Sequence, residues 1–331
     1  IPTELAEIEF AGALTNTAST GNIIARNATL RFSGGLTNQG VVGVSFGTSD
    51  IHGDINNKPG ATISIQGNSN VTFWDDLTNS GTVHVATGST AVYFGTVMGV
   101  ASFTGDGTTV VEGSLSPGNS PGPMSFAGDV VLGSASTTLM ELGGVSSGAE
   151  HDQLDIAGAA NLAGTLDLVH LAPYTDPAVR GTSDDFVLIN AGARSGNFNT
   201  VQYDGSALTA DFTTDGNGSF RHHAGGGLFR SVTYTATTVQ LQNLLALAGD
   251  TDGDQDVDLS DYNLLATNFA PVSTSFSWTD GDFDSDGDID LADYNALAGN
   301  FSPAGYGAAA VPEPASLCLL LAGLLVLARV K

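Results

Sequence analysis

Two twelve-residue stretches near the end of the chain have aspartate at alternate positions up to the ninth and again at the twelfth. They read DTDGDQDVDLSD from Asp250 and DFDSDGDIDLAD from Asp282. A hard cation such as Ca²⁺ takes about six to eight oxygen ligands, and a twelve-residue loop supplies them from positions 1, 3, 5, 7, 9 and 12. Those positions hold Asp250, Asp252, Asp254, Asp256, Asp258 and Asp261 in the first stretch and Asp282, Asp284, Asp286, Asp288, Asp290 and Asp293 in the second. The spacing predicts two calcium sites.

The residues between these aspartates distinguish the two loops. Position 8 should be aliphatic, to tie the loop to a core, and it is Val257 in the first loop and Ile289 in the second. Position 6 requires a sharp turn that favours glycine. It is Gly287 in the second loop but Gln255 in the first. A non-glycine residue at positive φ costs about 1 kcal/mol, so we expect the first site to be the weaker one.

The strongly acidic composition excludes some classes of binding partner. The chain has 9 Lys and Arg against 35 Asp and Glu, a formal net charge of −26. This excludes a nucleic-acid binder that follows phosphates with a basic surface. No Lys or Arg lies between Arg230 and Arg329, so the acidic repeat must either take cations from outside or remain a solvated linker. The glycine at position 6 of the second loop, the aliphatic residues at position 8 and the helical pattern described next favour bound cations over a solvated linker.

An apolar pattern follows each acidic loop. Apolar residues recur at i, i+3, i+6 and i+10, which is typical of one helical face. They are Leu259, Tyr262, Leu265 and Phe269 after the first loop and Leu291, Tyr294, Leu297 and Phe301 after the second.

Two such loop–helix units resemble the dockerin domain over about Gly249–Pro303. The resemblance implies a fold that forms with calcium, two antiparallel helices with pseudo-twofold symmetry, and a cohesin-like partner domain. Positions 10 and 11 often carry a hydroxyl pair in dockerins. Here they are Leu259–Ser260 and Leu291–Ala292, which leaves a structural or intramolecular docking role open beside cohesin recognition.

The N-terminal hundred residues contain a degenerate repeat. An aliphatic residue followed by an Asn-containing segment begins at Leu14, Leu36, Ile55 and Leu77. Alternating Val and Ile follow in most copies, and we expect the Asn residues to form the turns between strands. A period near 20 residues is typical of one coil of a β-solenoid. The sequence therefore favours a right-handed parallel β-helix over an antiparallel sandwich built from the same strands.

The segment Gly113–Val201 resembles the C-terminal part of passenger-like β-helix proteins of the autotransporter type. It carries a proline-rich LSPGNSPG turn, which we expect to be a corner or the end of the solenoid. It continues with HDQLDIAGAANLAGTLDL and SDDFVLINAGARSGNF. The resemblance implies architecture rather than an activity. The segment from Phe212 predicts a hairpin, and the one from Phe229 a single closing strand.

The last residues join a proline-rich turn to an apolar run at 315–328 and a basic tip. This run of fourteen residues is shorter than the roughly 20 needed to span a bilayer, but the flanking residues favour membrane insertion. The order of parts resembles the PEP-CTERM sorting signal of Gram-negative bacteria, which implies processing by an exosortase-type enzyme near Pro312, Glu313 and Pro314. A generic tail anchor is the alternative. The sorting signal and the tail anchor both predict that most of the chain lies outside the cytoplasm.

Candidates for catalysis are few. A hydrolase needs two facing carboxyls, and a lyase needs a basic residue beside carboxylates. The sequence offers Asp75–Asp76 after Trp74, His84, His151–Asp152 with Asp155, Asp184–Asp185, and Arg221 with His222 and His223. Each has a structural interpretation, as a turn residue, a packed rung or an exposed side chain, and we expect no enzyme.

Together these patterns predict a mainly β protein. It comprises solenoid repeats (1–125), a passenger-like β region (126–245), a small all-α dockerin-like pair of calcium loops (246–304) and a sorting signal with an apolar helix (305–331). The function expected is an exported structural or adhesion protein of the cell surface or matrix, with polysaccharide as a further ligand class. The alternatives are a cohesin-docked component of a polysaccharide-degrading assembly and a β-helical carbohydrate-active enzyme.

Overall fold

The structure is a computed structural model that describes residues 6–307 apart from 19, 101, 119 and 274. These residues divide into two compact units. The first comprises the residues up to Ala224 together with Phe229–Leu245, and the second comprises Gly225–Leu228 and the residues from Ala246 onward.

Three rows of short strands form the first unit, and three successive strands make one coil. Strands are numbered in chain order. The first row contains β1 (Ala6–Phe10), β4 (Ala28–Phe32), β7 (Thr48–His52), β10 (Asn70–Phe73), β13 (Thr90–Tyr93), β16 (Thr108–Val111) and β19 (Asp129–Leu132). The second contains β2 (Leu14–Asn16), β5 (Leu36–Asn38), β8 (Ile55–Asn57), β11 (Leu77–Asn79), β14 (Thr96–Gly99), β17 (Ser114–Pro117), β20 (Thr137–Leu142), β22 (Thr165–His170) and β24 (Thr200–Tyr203). The third contains β3 (Asn22–Ala25), β6 (Val41–Ser45), β9 (Thr62–Gln66), β12 (Thr82–Val85), β15 (Ser102–Thr104) and β18 (Pro123–Phe126).

The strands of each row pair in parallel with the equivalent strand of the next coil, for example β4 with β7 and β5 with β8. This confirms the parallel β-solenoid and excludes the antiparallel sandwich for this region. Side chains alternate between the inside and the outside because successive residues of a strand point to opposite faces. The inside is apolar and includes stacked pairs such as Phe73 on Tyr93, whose ring centroids lie 4.7 Å apart.

The prediction that the repeated asparagines form turns is wrong. Asn16, Asn38, Asn57 and Asn79 end the strands β2, β5, β8 and β11, and their side chains are buried. The Nδ2 of each of the first three donates to the Oδ1 of the next asparagine, at 2.7, 2.8 and 2.7 Å. The repeated asparagines therefore form an internal amide ladder, which we call the Asn ladder.

The solenoid continues beyond the proline-rich turn, because β17 and β18 both pair with later strands. That turn is a corner and not an end. Afterwards β21 (Gln153–Leu162) pairs with both β18 and β19, and β23 (Thr182–Gly196) pairs in parallel with β21. The first and third rows therefore merge into one sheet.

Five short strands follow, which lie in the first unit except for Gly225 and Leu228. They are β25 (Ser206–Ala207), β26 (Phe212–Thr213), β27 (Phe220–Gly225), β28 (Leu228–Tyr234) and β29 (Thr238–Leu245). The hairpin predicted from Phe212 is confirmed as β26–β27. The predicted single closing strand is wrong, because the chain turns between Thr235 and Thr238 and forms two strands, of which β29 pairs with β23.

The second unit contains two ten-residue helices, α1 (Leu259–Asn268) and α2 (Leu291–Asn300), and a short 3-10 turn at Trp278–Asp280. Each helix begins at position 10 of an acidic loop, so the last ligand position, Asp261 or Asp293, lies on its first turn. The apolar face predicted for each helix is only partly buried: Leu265 and Leu297 are buried, whereas Leu259 and Leu291 are 64% and 65% exposed. The core of this unit is completed by Val257, Ile289, Trp278 and Phe283.

The predicted C-terminal apolar helix and sorting signal, including Pro312, Glu313, Pro314 and residues 315–328, lie outside the described residues. Within the part of the chain that the structure describes, no helix has the length and apolar character required to cross a membrane.

Candidate metal centre

The first acidic loop, Asp250–Asp261, folds around its first and last carboxylates. Asp250 is buried and accepts hydrogen bonds from the amides of Gly253 at 2.6 Å and Gln255 at 3.2 Å. Asp261 is also buried, and its Oδ1 accepts from the Thr251 amide at 2.8 Å. A capping box holds Asp261 on the first turn of α1. The Asp258 side chain caps the helix, and the Asp261 carboxylate accepts a hydrogen bond from the Asp258 amide.

The second loop, Asp282–Asp293, repeats this arrangement. Buried Asp282 accepts from the amides of Ser285 at 2.7 Å and Gly287 at 2.9 Å. Asp293 accepts from the Phe283 amide at 2.7 Å and closes the same capping box with Asp290. Two loops of different sequence thus adopt the same internal hydrogen bonding, as their shared aspartate spacing predicts.

A single β-bridge joins the first loop to the segment after α2, and another joins the second loop to the segment after α1. Val257, at position 8 of the first loop, pairs with Ser302, and Ile289 of the second loop pairs with Ala270. Both aliphatic side chains are fully buried. The expectation that position 8 joins the loop to the core is confirmed.

Both loops hold a non-glycine residue at positive φ, although the sequence predicted such backbone strain only for the first loop. Gln255 has φ of 70°, as expected, and Gly253 of the same loop has φ of 73°. In the second loop Gly287 has φ of 93°, but Ser285 has φ of 64°. Each loop therefore holds one glycine and one other residue in the left-handed region, which is costly for any residue with a Cβ. Backbone strain gives no reason to rank the first site below the second.

Carboxylate oxygens converge within both loops. In each of four groups of three aspartates, one oxygen from every member lies within 4.8 Å of the others. The groups are Asp250, Asp252 and Asp254; Asp256, Asp258 and Asp261; Asp282, Asp284 and Asp293; and Asp288, Asp290 and Asp293. Eleven of the twelve predicted ligands belong to these groups; the twelfth, Asp286, does not.

Burial and mutual repulsion make the ionised form of several loop carboxyls unfavourable. Burial, reinforced by repulsion from Asp261 and Asp252, raises the pKa of the Asp250 carboxyl to about 7. Burial and the neighbouring carboxylates raise the pKa of Asp256 to about 6 and also raise that of Asp288. Among the described residues, Asp288 Oδ1 is buried and has no hydrogen-bond partner. A carboxyl group in such surroundings is stabilised either by taking up a proton or by binding a cation.

The donor set fits a hard divalent cation. Carboxylate oxygens on a twelve-residue loop are ligands that Ca²⁺ prefers, at about 2.3–2.6 Å, and they suit soft transition metals less well. One departure from the usual EF-hand loop is Asp rather than the longer Glu at position 12. Here both Asp261 and Asp293 also use their oxygens to cap a helix and hold the loop backbone.

Two contacts at the first loop were missed by the sequence reasoning. The Trp278 indole Nε1 donates to the Asp250 carbonyl oxygen at 2.8 Å, and the Tyr306 hydroxyl donates to Asp250 Oδ2 at 2.6 Å. Both are long-range contacts within the second unit and follow from no local pattern. Tyr306 also lies beyond residue 304, where the predicted domain ends.

The acidic pair considered for catalysis in the solenoid lies at its turns. Asp75 Oδ2 accepts from the Gly53 amide and Asp76 Oδ1 from the Thr96 amide, both at 2.7 Å. Each carboxylate therefore bonds the backbone of an adjacent coil. Trp74, expected to be a packed rung residue, is 44% exposed and stacks on Phe94 with ring centroids 4.7 Å apart.

The next candidate cluster is buried and fully bonded. His151 Nδ1 lies 3.0 Å from the Gly144 carbonyl oxygen, and burial lowers its pKa. Asp152 accepts from the amides of Gly122 at 2.7 Å and Glu141 at 2.9 Å, and burial raises its pKa to about 6. Asp152 thus joins the proline-rich corner to β20.

The remaining candidates for catalysis contact other residues. His84 Nδ1 lies 3.2 Å from Thr104 Oγ1, and Asp185 Oδ1 accepts from Gln242 Nε2 at 2.7 Å. His222 Nδ1 lies 3.0 Å from Asp211 Oδ2, and the His223 ring packs against Phe229. Asp155 and Asp184 are half-buried on β21 and β23, and Arg221 is half-buried on β27.

Comparison with known proteins adds no assignment. No family model matches the chain, and no curated protein matches it.

Proposed function

We propose that the second unit is a calcium-binding module that takes one Ca²⁺ in each acidic loop and depends on the ions for its fold. The observation that carries the proposal is the burial of Asp250, Asp261, Asp282 and Asp293 in loops whose carboxylates converge, in a segment with no Lys or Arg. Without a cation the carboxylates of each loop repel one another, and the repulsion is least screened at the two that are buried. Ion binding and folding are then one equilibrium.

Calorimetric titration of the full chain with Ca²⁺ tests this proposal. We expect two sites, and circular dichroism should show loss of helix on chelation. Asp261→Asn and Asp293→Asn should each remove or strongly weaken one site, because each removes a charge from a converging group. Asp106→Asn, in an exposed solenoid turn, is the matched control and should keep both sites. Absence of binding at millimolar Ca²⁺ would refute the proposal.

We propose that the whole chain is an exported structural or adhesion protein of the cell surface or extracellular matrix. The parallel solenoid is compatible with this role because its outer surface is long and repetitive. The likeness of the C-terminal sequence to the PEP-CTERM signal supports export and processing by an exosortase-type enzyme. Fractionation of cells that produce the full chain tests the location. Surface or medium localisation, with Glu313→Ala retained in the membrane, is expected; a cytoplasmic chain would contradict it.

A second candidate function is docking to a protein partner of the cohesin type. It is favoured by the exposed apolar side chains Leu259, Tyr262, Tyr294 and Phe301, which line one groove over both helices. Apolar patches of this kind on a small module typically mark interaction sites. The test is calorimetry with a recombinant cohesin domain. Binding that is lost in Leu259→Asp supports the proposal, and no binding in the presence of Ca²⁺ contradicts it.

A further inference from the structure

The segment after each helix returns to the loop of the other half, and an aromatic residue makes the same backbone contact in both returns. After α2, the Tyr306 amide donates to the Gln255 carbonyl oxygen at 2.8 Å. After α1, the Phe276 amide donates to the Gly287 carbonyl oxygen at 3.1 Å. Both acceptors are position 6 of an acidic loop. The backbone contact is therefore duplicated, with tyrosine at one copy and phenylalanine at the other.

The hydroxyl of Tyr306 makes two further contacts in the first loop. It donates to Asp250 Oδ2 at 2.6 Å and accepts from the Leu247 amide at 2.9 Å. Asp250 is position 1 of the loop, and its carboxylate belongs to the converging group with Asp252 and Asp254. Among the residues that the structure describes, the equivalent Asp282 carboxylate accepts only from the amides of Ser285 and Gly287.

A hydroxyl bound to one carboxylate oxygen fixes the orientation of the other. Hydrogen bonds of this kind hold metal ligands in place, and their loss typically weakens metal binding about tenfold or more. The Leu247 amide fixes the hydroxyl in turn, so the interaction is directed at Asp250 and is not a chance surface contact. The segment is also anchored by the bridge between Val257 and Ser302.

We propose that Tyr306 is a positioning residue of the first calcium site and that it couples Ca²⁺ binding there to docking of the segment Ser302–Tyr306. The inference rests on the proposed calcium function. Coupling of two binding equilibria is reciprocal. If the docked tyrosine raises the affinity of the first site for Ca²⁺, then Ca²⁺ in that site holds the segment in place by the same free energy. The second site has no such dependence.

Site-specific titration of the full chain with Ca²⁺ tests the proposal. Tyr306→Phe is measured in two backgrounds, Asp293→Asn, which leaves the first site, and Asp261→Asn, which leaves the second. We expect about a tenfold loss of affinity in the first background, since hydrogen bonds to charged groups are among the stronger ones, and no change in the second. Tyr203→Phe, on β24 of the first unit, is the control and should change neither.

Hydrogen exchange provides an independent readout. Ca²⁺ should slow exchange of the Tyr306 amide in the Asp293→Asn background and slow it much less once Tyr306→Phe is added. Equal affinities with and without the hydroxyl, or an equal loss at both sites, would overturn the role of Tyr306 while leaving the calcium sites intact. A chain that binds no Ca²⁺ at all would instead overturn the proposed function.

Discussion

The Asn ladder makes a quantitative prediction about the solenoid. Asn57 accepts from Asn38 Nδ2 at 2.8 Å and donates to Asn79 Oδ1 at 2.7 Å and to the Thr82 carbonyl oxygen at 3.2 Å. Replacing it by alanine removes all three bonds from a fully buried position. Each contributes about 0.5–1.5 kcal/mol net, and buried groups left without a partner add to the cost. We expect Asn57→Ala to lower the free energy of unfolding by about 3 kcal/mol.

The neighbouring residue supplies the control. Asn56 lies beside Asn57 on β8 but is half-buried on the outer side of the strand, so Asn56→Ala should change the free energy of unfolding by less than about 0.5 kcal/mol. Urea unfolding, followed by circular dichroism of the strands at constant Ca²⁺, measures both variants. A difference between them below about 1 kcal/mol would refute the claim that the ladder stabilises the coils.

The end of the ladder extends this prediction. The register of β11 on β14 pairs Thr78 with Met98, and Gly99 lies next along β14, where a Cβ would be 2.1 Å from the Asn79 carbonyl oxygen. The ladder therefore stops at Asn79, whose Nδ2 has no hydrogen-bond partner among the described residues. Asn79→Ala should accordingly cost less than Asn57→Ala; an equal or larger cost would contradict the geometry.

Two further predictions concern pH and backbone strain. Because burial raises the folded-state pKa of Asp152 to about 6, the folded state binds its proton more tightly than the unfolded chain. This contribution to stability is present below the unfolded-state pKa and is lost as the pH rises through about 6. The wild-type free energy of unfolding, measured between pH 4 and pH 7, should therefore fall relative to that of Asp152→Asn; parallel pH profiles would contradict this. Because Gln255 and Ser285 both have positive φ, Gln255→Gly and Ser285→Gly should each stabilise the second unit by about 1 kcal/mol in thermal unfolding with Ca²⁺. A gain in the first loop alone would refute the view that the strain is shared.

The features that the sequence predicted are those with a short-range or periodic cause. The recurrence near 20 residues predicted the parallel coils, because residues at one rung must repeat to stack. The aspartate spacing predicted the side chains that converge, apart from Asp286. Position 8 predicted the burial of Val257 and Ile289, because an aliphatic residue within an acidic loop gains most by packing in the core.

The features that it missed depend on tertiary contacts. Asparagine is common both in turns and in buried ladders, and the sequence alone does not distinguish a turn from the strand end that Asn38 occupies. The helical pattern at Leu259 and Leu291 gave no indication that only one apolar residue in each helix is buried. The contact of Tyr306 with Asp250 joins residues 56 apart, and no local spacing predicts it.

The account depends most on the presence of calcium in the two acidic loops. Crystals of the full chain grown with Ca²⁺, and measured for anomalous scattering from calcium, locate the ions directly. We expect two peaks, one in each loop, with aspartate oxygens at about 2.3–2.6 Å and Asp250 and Asp282 among the ligands. Absence of a peak from both loops at millimolar Ca²⁺ would contradict the account.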